Sequence, residues 1–469
     1  MDQSKYQAVV IGGGSGGYAA AAELAGNGVR TALIEKPGEL GGLCILRGCM
    51  PSKALIESAN LMRRIRSAGT FGIHVDNLRV SMEEIQDRKQ KLVSGFQNYR
   101  AEQLRSVDFD LIRGEASFSG ATTVEVAGET GTRTIGFEYA VIATGSTPVI
   151  PDVDGLRDGD FWRSRDALDA REIPEHLLII GGGAIGCEMA HCFEGLGSKV
   201  SVIQRSGCLL TDFEEDIGKV ITSISEARGI RIYCNSAAKQ VTWPDGGGVT
   251  LRIEREGQEK DLTGSHLLVA VGRKPSTEKL ALETAGIEAE HGRVTTDSHM
   301  RTNRSHIFAI GDVTNELPVV HEAVIQGEVV GRHISLLLGA VEGAIPAAES
   351  PSFELFGIFT HPECARAGMS GDTIKKLGLA TCCATYAFAD HGKAAIIGET
   401  EGFVKIVSEK GSGKILAASA IGPQVIDLIH EMNVAIHAGL TVKEFARIPH
   451  YHPTLAEIWT YPAEELSGR

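Results

Sequence analysis

Hydrophobic positions near the start of the chain form two short runs, separated by a glycine-rich loop and an alanine-rich segment. The first run, residues 8–11, has the length of a buried strand, and five of the next six residues, 12–17, are glycine. The second run, residues 31–34, ends in Glu35, eighteen positions after Gly17. We therefore expect a strand, a tight loop, a helix and a second strand. The alternative is a simple glycine-rich turn before a helix.

The same pattern recurs in the middle of the chain. The glycine loop 181–186 follows one apolar run and precedes a second, and its first glycine is 23 positions before Gln204. Gly12 and Glu35 have the same spacing of 23 positions. Amides at the start of the helix behind such a loop bind a pyrophosphate, and a polar residue at the end of the second strand accepts bonds from a ribose. Two copies predict two dinucleotide sites, for which a flavin and a nicotinamide nucleotide are the natural pair.

The rest of the chain mixes helical and strand patterns. Residues 54–114 are charged with a helical period, and they include a long amphipathic helix at residues 82–104. Residues 116–137 alternate polar and β-branched positions, which is typical of a strand meander. The remaining predicted features are buried strands that end near glycine at residues 139–145 and 307–312, and a linker at residues 346–351.

Composition and charge narrow the class of protein. The chain has 469 residues, enough for about three or four domains, and 43% of them are hydrophobic, as in globular proteins. The formal net charge of −14 argues against a nucleic-acid surface. The nine cysteines form no framework of a small secreted domain, and the sequence predicts neither a signal peptide nor a membrane span. We expect a cytoplasmic protein with no membrane or nucleic-acid partner.

Two cysteines lie just after the first predicted dinucleotide unit. Cys44 and Cys49 follow a glycine pair and precede Lys53. A disulfide between them needs their Cα atoms about 4.4–6.8 Å apart, and Gly48 permits the necessary distortion of a helical path. The alternatives are a metal site or two unrelated buried thiols. Metal sites usually have a shorter C-x2-C spacing with further ligands nearby, so we expect a redox-active disulfide and no metal site.

Residues 41–53 resemble the active-site segment of the flavin-dependent pyridine nucleotide-disulfide oxidoreductases, the family of dihydrolipoamide dehydrogenase, glutathione reductase and mercuric reductase. The resemblance implies that Cys44 exchanges with the substrate and that Cys49 lies against the flavin. It also implies that Lys53 pairs with a glutamate beside the flavin, and Glu188 matches this glutamate. The alternative for Glu188 is an ordinary solvated helix carboxylate.

The C-terminal stretch 450–457 resembles the His-Pro-Thr-Leu-x-Glu segment of dihydrolipoamide dehydrogenase. The resemblance makes His452 the acid–base group and Glu457 the carboxylate that orients it, with His450 as a packing residue. Thiol chemistry needs such a pair because the thiolate is the nucleophile, so a nearby group must hold the proton. The alternative is a structural histidine cluster at a domain edge. We interpret the vicinal cysteines 382–383 as strand residues and not as the terminal cysteine pair of mercuric reductase.

The resemblance also assigns residues to two cofactors. The residues expected to bind FAD are Gly12, Gly14, Gly17, Glu35, Gly42, Lys53, Thr144, Gly145, Gly311 and Asp312. The residues expected to bind NAD(H) or NADP(H) are Gly181, Gly183, Gly186, Gln204, Arg205 and Gly272. The neutral amide of Gln204 does not repel a 2′-phosphate, and the guanidinium of Arg205 attracts one. We therefore expect NADPH to be used at least as well as NADH.

Taken with the resemblance, these patterns predict an α/β fold with two Rossmann-like dinucleotide-binding domains plus a C-terminal α+β dimerisation domain. The expected domains are an FAD-binding domain at 1–150, an NAD(P)-binding domain at 151–276, a central FAD-completing domain at 277–347 and a dimerisation domain at 348–469. The expected partner is a second copy of the chain, in a homodimer whose active sites are shared between subunits.

The function that the resemblance implies is a two-electron relay between NAD(P)(H), FAD, the disulfide Cys44–Cys49 and a lipoamide-like dithiol or lipoyl domain. Within the family, the motifs fit dihydrolipoamide dehydrogenase best. Leu43 and residues 45–47 depart from the usual segment, and Arg47 is a residue suited to favouring a thiolate. An NADPH-dependent reductase of another disulfide or of a metal ion is therefore an alternative. A further alternative is a non-catalytic, flavin-loaded subunit that docks to a larger assembly or senses redox state.

Overall fold

The chain forms two compact units, each built from three separate stretches. The computed structural model describes residues 4–39, 41–314, 318–345 and 353–468. The first unit comprises residues 1–54, 87–149 and 272–351, and the second comprises residues 55–86, 150–271 and 352–469. The predicted linker at 346–351 lies outside the described residues, and the boundaries of the four predicted domains stay a prediction. Within the described ranges, no helix is both long and apolar enough to cross a membrane.

Helices and strands follow one another through both units. The helices of the described residues are α1 (Ser15–Gly26), α2 (Gly42–Arg47), α3 (Cys49–Ser67), α4 (Met82–Ser106), α5 (Ser164–Leu168), α6 (Ala184–Leu196), α7 (Glu215–Ala227), α8 (Val320–Leu337), α9 (Gly371–Lys376), α10 (Gly392–Ile397), α11 (Val425–His437), α12 (Val442–Phe445) and α13 (Thr460–Ser467). The strands are β1 (Ser4–Ile11), β2 (Thr31–Glu35), β3 (Asp110–Arg113), β4 (Glu115–Gly120), β5 (Thr123–Gly128), β6 (Gly131–Ile142), β7 (Ser146–Pro148), β8 (His176–Ile180), β9 (Lys199–Ile203), β10 (Arg231–Tyr233), β11 (Ser236–Thr242), β12 (Val249–Arg255), β13 (Gln258–Gly264), β14 (His266–Val269), β15 (Arg273–Pro275), β16 (Ala289–Glu290), β17 (Arg293–Val294), β18 (Ile307–Ala309), β19 (Glu354–Ile358), β20 (Glu363–Gly368), β21 (Thr381–Ala387), β22 (Phe403–Glu409) and β23 (Ile415–Gly422).

The first unit is organised around a sheet in the order β3-β2-β1-β6-β5-β4, with β18 paired to β6. Strands β1, β2, β3, β6 and β18 run parallel, and β4 and β5 complete an antiparallel meander with β6. Strands β2 and β18 and residues 8–11 of β1 are buried throughout, which agrees with their continuous apolar runs. Parallel strands present their carboxyl ends at one edge, so the glycine loop after β1 and the turn after β18 lie at the same edge.

The second unit contains a parallel sheet in the order β10-β9-β8-β14 and an antiparallel sheet of β11, β12 and β13. The order β8, glycine loop, α6, β9 repeats the order β1, glycine loop, α1, β2 of the first unit. This repeat confirms that the two glycine patterns belong to two Rossmann-like folds.

The C-terminal part of the second unit is an antiparallel sheet in the order β19-β20-β23-β22-β21, packed against α11 and α13. Its core includes the fully buried Trp459. Cys382 and Cys383 are exposed on the edge strand β21, as expected for strand residues. The predicted α/β class, with two Rossmann-like sheets and a C-terminal α+β part, is thus confirmed.

Candidate functional site

The first glycine loop forms a cradle that larger residues cannot build. Gly12 has φ of +105°, and a Cβ on it would lie 2.4 Å from the carbonyl oxygen of Ala143. A Cβ on Gly17 would lie only 1.8 Å from the carbonyl oxygen of Gly12, so loop and helix α1 touch through backbone atoms. A Cβ on Gly14 would meet nothing within 4 Å, which leaves open space at the start of α1. Anionic groups bind in such space because unpaired amides and the helix dipole face it.

Glu35, at the end of β2, is held against this loop. Its Oε2 accepts a hydrogen bond of 2.6 Å from the Gly13 amide, and its Oε1 accepts one of 2.8 Å from the Lys36 amide. Burial raises the pKa of the Glu35 carboxyl, and the two amide bonds oppose that rise. The carboxylate is therefore fixed beside the loop, with lone pairs left for hydroxyl donors.

A cavity of about 400 Å³ extends from the loop to the two cysteines. The predicted FAD residues that line it are Gly12, Gly14, Gly17, Glu35, Gly42, Thr144, Gly145, Gly311 and Asp312, together with Cys44 and Cys49. Lys53 follows on α3, and its charge opposes the rise in the pKa of Cys44 described below. The structure therefore brings together nearly all residues that the sequence assigned to this site.

The cysteine pair lies at a break between two helices. Helix α2 ends at Arg47, Gly48 has φ of −131° and ψ of −114°, and α3 begins at Cys49. Both thiols are half-buried, and they are hydrogen-bonded to each other. This bond is the main cause of the raised pKa of Cys44, and burial adds to it. The two thiols are therefore placed to exchange a proton, and their separate roles toward substrate and flavin stay a prediction.

Arg47, between the cysteines, is paired with Glu39 at the wall of the cavity. Its Nη1 lies 2.7 Å from Glu39 Oε1, and its Nη2 contacts Glu39 Oε2. The pair is a two-bond contact of guanidinium and carboxylate. Because Glu39 shares this charge, Arg47 is less able to stabilise a cysteine thiolate than its sequence position indicates.

Asp312 is supported by residues that the sequence did not single out. The Ser146 hydroxyl donates to Asp312 Oδ2 at 2.6 Å, and Arg273 Nε donates to the Ser146 oxygen at 2.8 Å. The Gln326 side chain accepts from the Gly311 amide at 2.7 Å. Strands β7 and β15 pair as a short ribbon and bring Ser146 and Arg273 together. The sequence offered a faint signal for Ser146, because this residue follows the predicted buried strand at 139–145.

The second glycine loop repeats the geometry of the first. Gly181 has φ of +112°, and a Cβ on Gly186 would lie 1.9 Å from the carbonyl oxygen of Gly181. A Cβ on Gly183 would meet nothing within 4 Å. Gln204 Oε1 accepts from the Gly182 amide at 3.1 Å.

Two other residues assigned to the nicotinamide nucleotide lie outside this loop. Arg205 is exposed directly after the strand that ends the second Rossmann-like pattern. Gly272 begins the last stretch of the first unit, where its carbonyl oxygen accepts a bond of 2.9 Å from the Val149 amide.

Glu188 is buried on α6, and its Oε1 accepts a hydrogen bond of 3.1 Å from the Phe359 amide. It is therefore not an ordinary solvated helix carboxylate. Glu188 belongs to the second unit and Lys53 to the first, and their pairing stays a prediction.

His452 and Glu457 form a dyad in the second unit. His452 Nδ1 lies 2.9 Å from Glu457 Oε2 and 3.1 Å from Oε1. The Glu457 side chain is only 10% exposed, whereas that of His452 is 75% exposed. The neighbouring His450 is anchored by Nε2 to Glu431 at 2.6 Å and by Nδ1 to the Ile448 carbonyl at 2.9 Å. The Nδ1 atom of the exposed His452 thus faces the buried Glu457, and its Nε2 atom is left for another group.

Comparison with protein families covers nearly the whole chain. Residues 6–327 match the family model described as pyridine nucleotide-disulphide oxidoreductase, and residues 356–463 match its dimerisation domain. The dihydrolipoyl dehydrogenase of Haloferax volcanii is 36% identical over 468 residues, which are 98% of this chain and 96% of that protein. The dihydrolipoyl dehydrogenase of Geobacillus stearothermophilus is 34% identical over 465 residues, with the same coverage of 98% and 96%.

Comparison with solved structures gives the same result. The Cu(II) complex of the HOCl-induced flavoprotein disulfide reductase RclA from Escherichia coli has a TM-score of 0.86 and 27% identity, over 99% of this chain and 100% of that chain. Both the sequence match and the shared fold therefore extend from the first glycine loop to the C-terminal sheet. This chain belongs to the pyridine nucleotide-disulphide oxidoreductase family.

Proposed function

We propose that this protein is an FAD-dependent oxidoreductase that exchanges two electrons between NAD(P)(H) and a dithiol or disulfide of the lipoamide type. The observation that carries the proposal is the hydrogen-bonded pair of thiols in the wall of a cavity that starts at a dinucleotide-binding loop. The dihydrolipoyl dehydrogenase names of two full-length relatives support the choice of substrate class.

The residues of the first cavity fit FAD. A Cβ at Gly12 or Gly17 would clash with the backbone that shapes the cradle, and the carboxylates of Glu35 and Asp312 line the cavity as acceptors for hydroxyl groups of a nucleotide and a ribitol. FAD, when bound there, supplies the two-electron link between nicotinamide and sulfur. The Ser146 and Arg273 side chains hold Asp312 in place for this contact.

In the direction of dithiol oxidation, Cys44 is the sulfur that the substrate attacks. A substrate thiolate bonds to Cys44 Sγ, the Cys44–Cys49 bond breaks, and Cys49 leaves as a thiolate. The second substrate thiol then attacks the mixed disulfide, which releases the cyclic substrate disulfide and leaves Cys44 reduced. Two electrons pass from the substrate to the cysteine pair, one of the two substrate protons goes to His452 Nε2, and the other goes to the released Cys44 sulfur while Cys49 remains a thiolate.

The second unit supplies His452 to a partner subunit in this proposal. The His452 side chain is 75% exposed although it is paired with the buried Glu457, so it is available to a group outside this subunit. The surrounding residues 356–463 match a dimerisation domain. We therefore assign a homodimer in which the His452–Glu457 dyad of one subunit serves Cys44 of the other.

The nicotinamide site favours NADPH at least as much as NADH in this proposal. Gln204 takes the place of the carboxylate that accepts ribose hydroxyls, and Arg205 is exposed beside it. Arg205→Ala should weaken NADPH binding by about 1–3 kcal/mol and leave NADH binding nearly unchanged, because only NADPH offers a phosphate to the guanidinium. Equal losses for both nucleotides would contradict the assignment.

The decisive experiment is an acceptor panel, run with NADH and NADPH and in both directions. Lipoamide should be the best acceptor, and Cys44→Ser and Cys49→Ser should each abolish its turnover. A long-wavelength thiolate–flavin band should appear on two-electron reduction, persist in Cys44→Ser and disappear in Cys49→Ser. No turnover of any acceptor by an FAD-loaded protein would favour a docking or sensing subunit.

A second candidate is reduction of a metal ion, favoured by the structural similarity to a Cu(II) complex of RclA. Within the described residues there is no group of three or more His, Cys, Asp or Glu side chains that could hold a metal ion. A metal substrate would therefore meet the cysteine pair itself. Cu(II) belongs in the acceptor panel, where faster turnover than lipoamide would select this candidate.

A further inference from the structure

A second histidine lies behind the His452–Glu457 dyad. His391 is the residue before helix α10, and it is only 1% exposed. The Ala394 amide points at His391 Nδ1 from 3.4 Å, so Nδ1 acts as an acceptor for the start of the helix. An imidazole whose Nδ1 accepts carries its proton on Nε2. Burial also lowers the pKa of His391, which keeps the ring neutral at pH 7.

The protonated nitrogen of His391 faces Glu457. Nε2 lies 3.5 Å from Glu457 Oε1 and is buried without a hydrogen bond in the described part of the chain. His452 Nδ1 lies 2.9 Å from the other oxygen of Glu457, Oε2, and 3.1 Å from Oε1. The three side chains thus form a row from the buried His391, through the carboxylate, to the exposed His452.

Few other polar groups compete for this carboxylate. The Tyr461 ring meets the His391 ring edge-on at 6.1 Å between centroids and stacks on Tyr386 at 4.1 Å. Burial raises the pKa of Tyr461 and the charge of Glu457 adds to this rise, so the phenol remains protonated. The Tyr386 hydroxyl donates to the Asp390 carbonyl oxygen at 3.0 Å. His391 is therefore the buried donor placed to restrain Glu457 Oε1.

We propose that His391 is a positioning residue whose Nε2–H group, 3.5 Å from Glu457 Oε1, restrains this carboxylate electrostatically and thereby fixes the orientation and tautomer of His452. A restrained Oε1 keeps Oε2 as the nearer acceptor for His452 Nδ1, and the lone pair of His452 then stays on Nε2. A lone pair at that nitrogen is what a proton acceptor for Cys44 requires. The proposal rests on the acid–base function assigned above to His452.

Two substitutions separate the two contacts of His391, the one between Nδ1 and the Ala394 amide and the one between Nε2 and Glu457. The amide of His391→Asn reaches the position of Nδ1, so it keeps the acceptor for the Ala394 amide and loses the donor to Glu457. The amide of His391→Gln reaches the position of Nε2, so it keeps the donor and loses the helix cap. A role limited to capping predicts damage in the glutamine variant, and a positioning role predicts damage in the asparagine variant.

The test uses full-length protein loaded with FAD, with lipoamide as acceptor. We expect His391→Asn to lower kcat about tenfold at unchanged KM. This loss is smaller than the full contribution of an acid–base group, because His452 itself is still present. We expect His391→Gln to keep kcat within about twofold of the parent. Thermal unfolding of both variants checks that each is folded.

A second measurement does not depend on turnover. In protein labelled with ¹⁵N-histidine, the Nδ1 signal of His452 should shift toward a tautomer average in His391→Asn and stay in place in His391→Gln. Identical spectra for the parent and the asparagine variant would overturn the positioning role, even in an active enzyme. A tautomer shift in a protein that turns over no acceptor would retain the positioning role and overturn the proposed function.

Discussion

The two glycine loops of this chain have nearly the same backbone and different side chains at the end of the second strand. The last glycine of each loop would place a Cβ less than 2 Å from the carbonyl oxygen of the first glycine, at 1.8 Å for Gly17 and 1.9 Å for Gly186. A loop amide binds the strand end in both units, at Glu35 in one and at Gln204 in the other. Steric limits therefore dictate the shape of the loop, and we propose that the side chain at the strand end selects the nucleotide.

The surroundings of the two loops also differ. Glu35 is 8% exposed and lies in the wall of the cavity that reaches the cysteines. Gln204 is half-buried, and the arginine that follows it is exposed. We infer that the first loop retains its nucleotide through many reactions, whereas the second binds one that leaves after each reaction.

The largest expected effect is that of Gly17→Ala. Its methyl group has no space between loop and helix, so FAD affinity should fall by more than about 3 kcal/mol and the unit should be destabilised. Gly26→Ala, in the same helix with nothing within 4 Å of its Cβ, is the matched control and should keep FAD. The measurement is the FAD content of the purified protein and the reconstitution of apoprotein. Equal FAD content in both variants would refute the steric account.

Next in size is Glu35→Gln, which gives the first unit the residue of the second. Hydrogen bonds to a charged acceptor are lost, so FAD affinity should fall by about 1.5–3 kcal/mol in fluorescence titrations of apoprotein. Glu138→Gln, an exposed change in β6, is the control and should leave FAD affinity unchanged. If Glu35→Gln binds FAD as the parent does, the carboxylate is not what distinguishes the two loops.

The reciprocal change, Gln204→Glu, should have a smaller effect. The new carboxylate repels the 2′-phosphate across a partly solvated distance, so NADPH binding should weaken by about 1–2 kcal/mol while NADH binding holds or improves. Dissociation constants from quenching of protein fluorescence give both values. Parallel changes for the two nucleotides would show that this position does not contact the ribose.

The smallest expected effect is the contribution of Glu35 to the pH dependence of the stability of the FAD-free protein. Because burial raises its pKa in the folded protein, the unfolded chain releases this proton at lower pH than the folded chain does. The stabilisation from the protonated form is complete below the unfolded value and is lost as pH rises through the folded value. As the pH rises from 4.5 to 7, the melting temperature of the FAD-free parent should therefore fall relative to that of Glu35→Gln. A constant difference over that range would contradict the raised pKa.

Local patterns in the sequence predicted the parts of the site that depend on neighbouring residues. The glycine loops, the flanking strands and the break between Cys44 and Cys49 all follow from spacing and from the backbone freedom of glycine. The His452–Glu457 contact was also within reach, since the two residues are five positions apart.

The supporting contacts could not be predicted because they join distant parts of the chain. Ser146 and Arg273 meet across 127 positions, and no local pattern shows that their strands pair. His391 precedes Glu457 by 66 positions and reads as an ordinary turn residue before a helix. Arg47 indicated support for a thiolate, yet the fold pairs it with Glu39. Such partners depend on tertiary packing, which pattern analysis does not include.

The pairing of β18 with β6 has a consequence for biosynthesis. Residues 307–309 complete a sheet begun by residues 140–142, and residues 150–271 of the other unit are made in between. During translation, the glycine loop and both cysteines emerge long before the strand that carries Gly311 and Asp312 to them. The nascent chain thus exposes an unfinished sheet edge for about a third of its synthesis, a state that favours aggregation and calls for chaperones. A ribosome-stalled chain that ends before residue 300 should therefore be cut rapidly by protease in its first 150 residues, and one extended past residue 340 should resist.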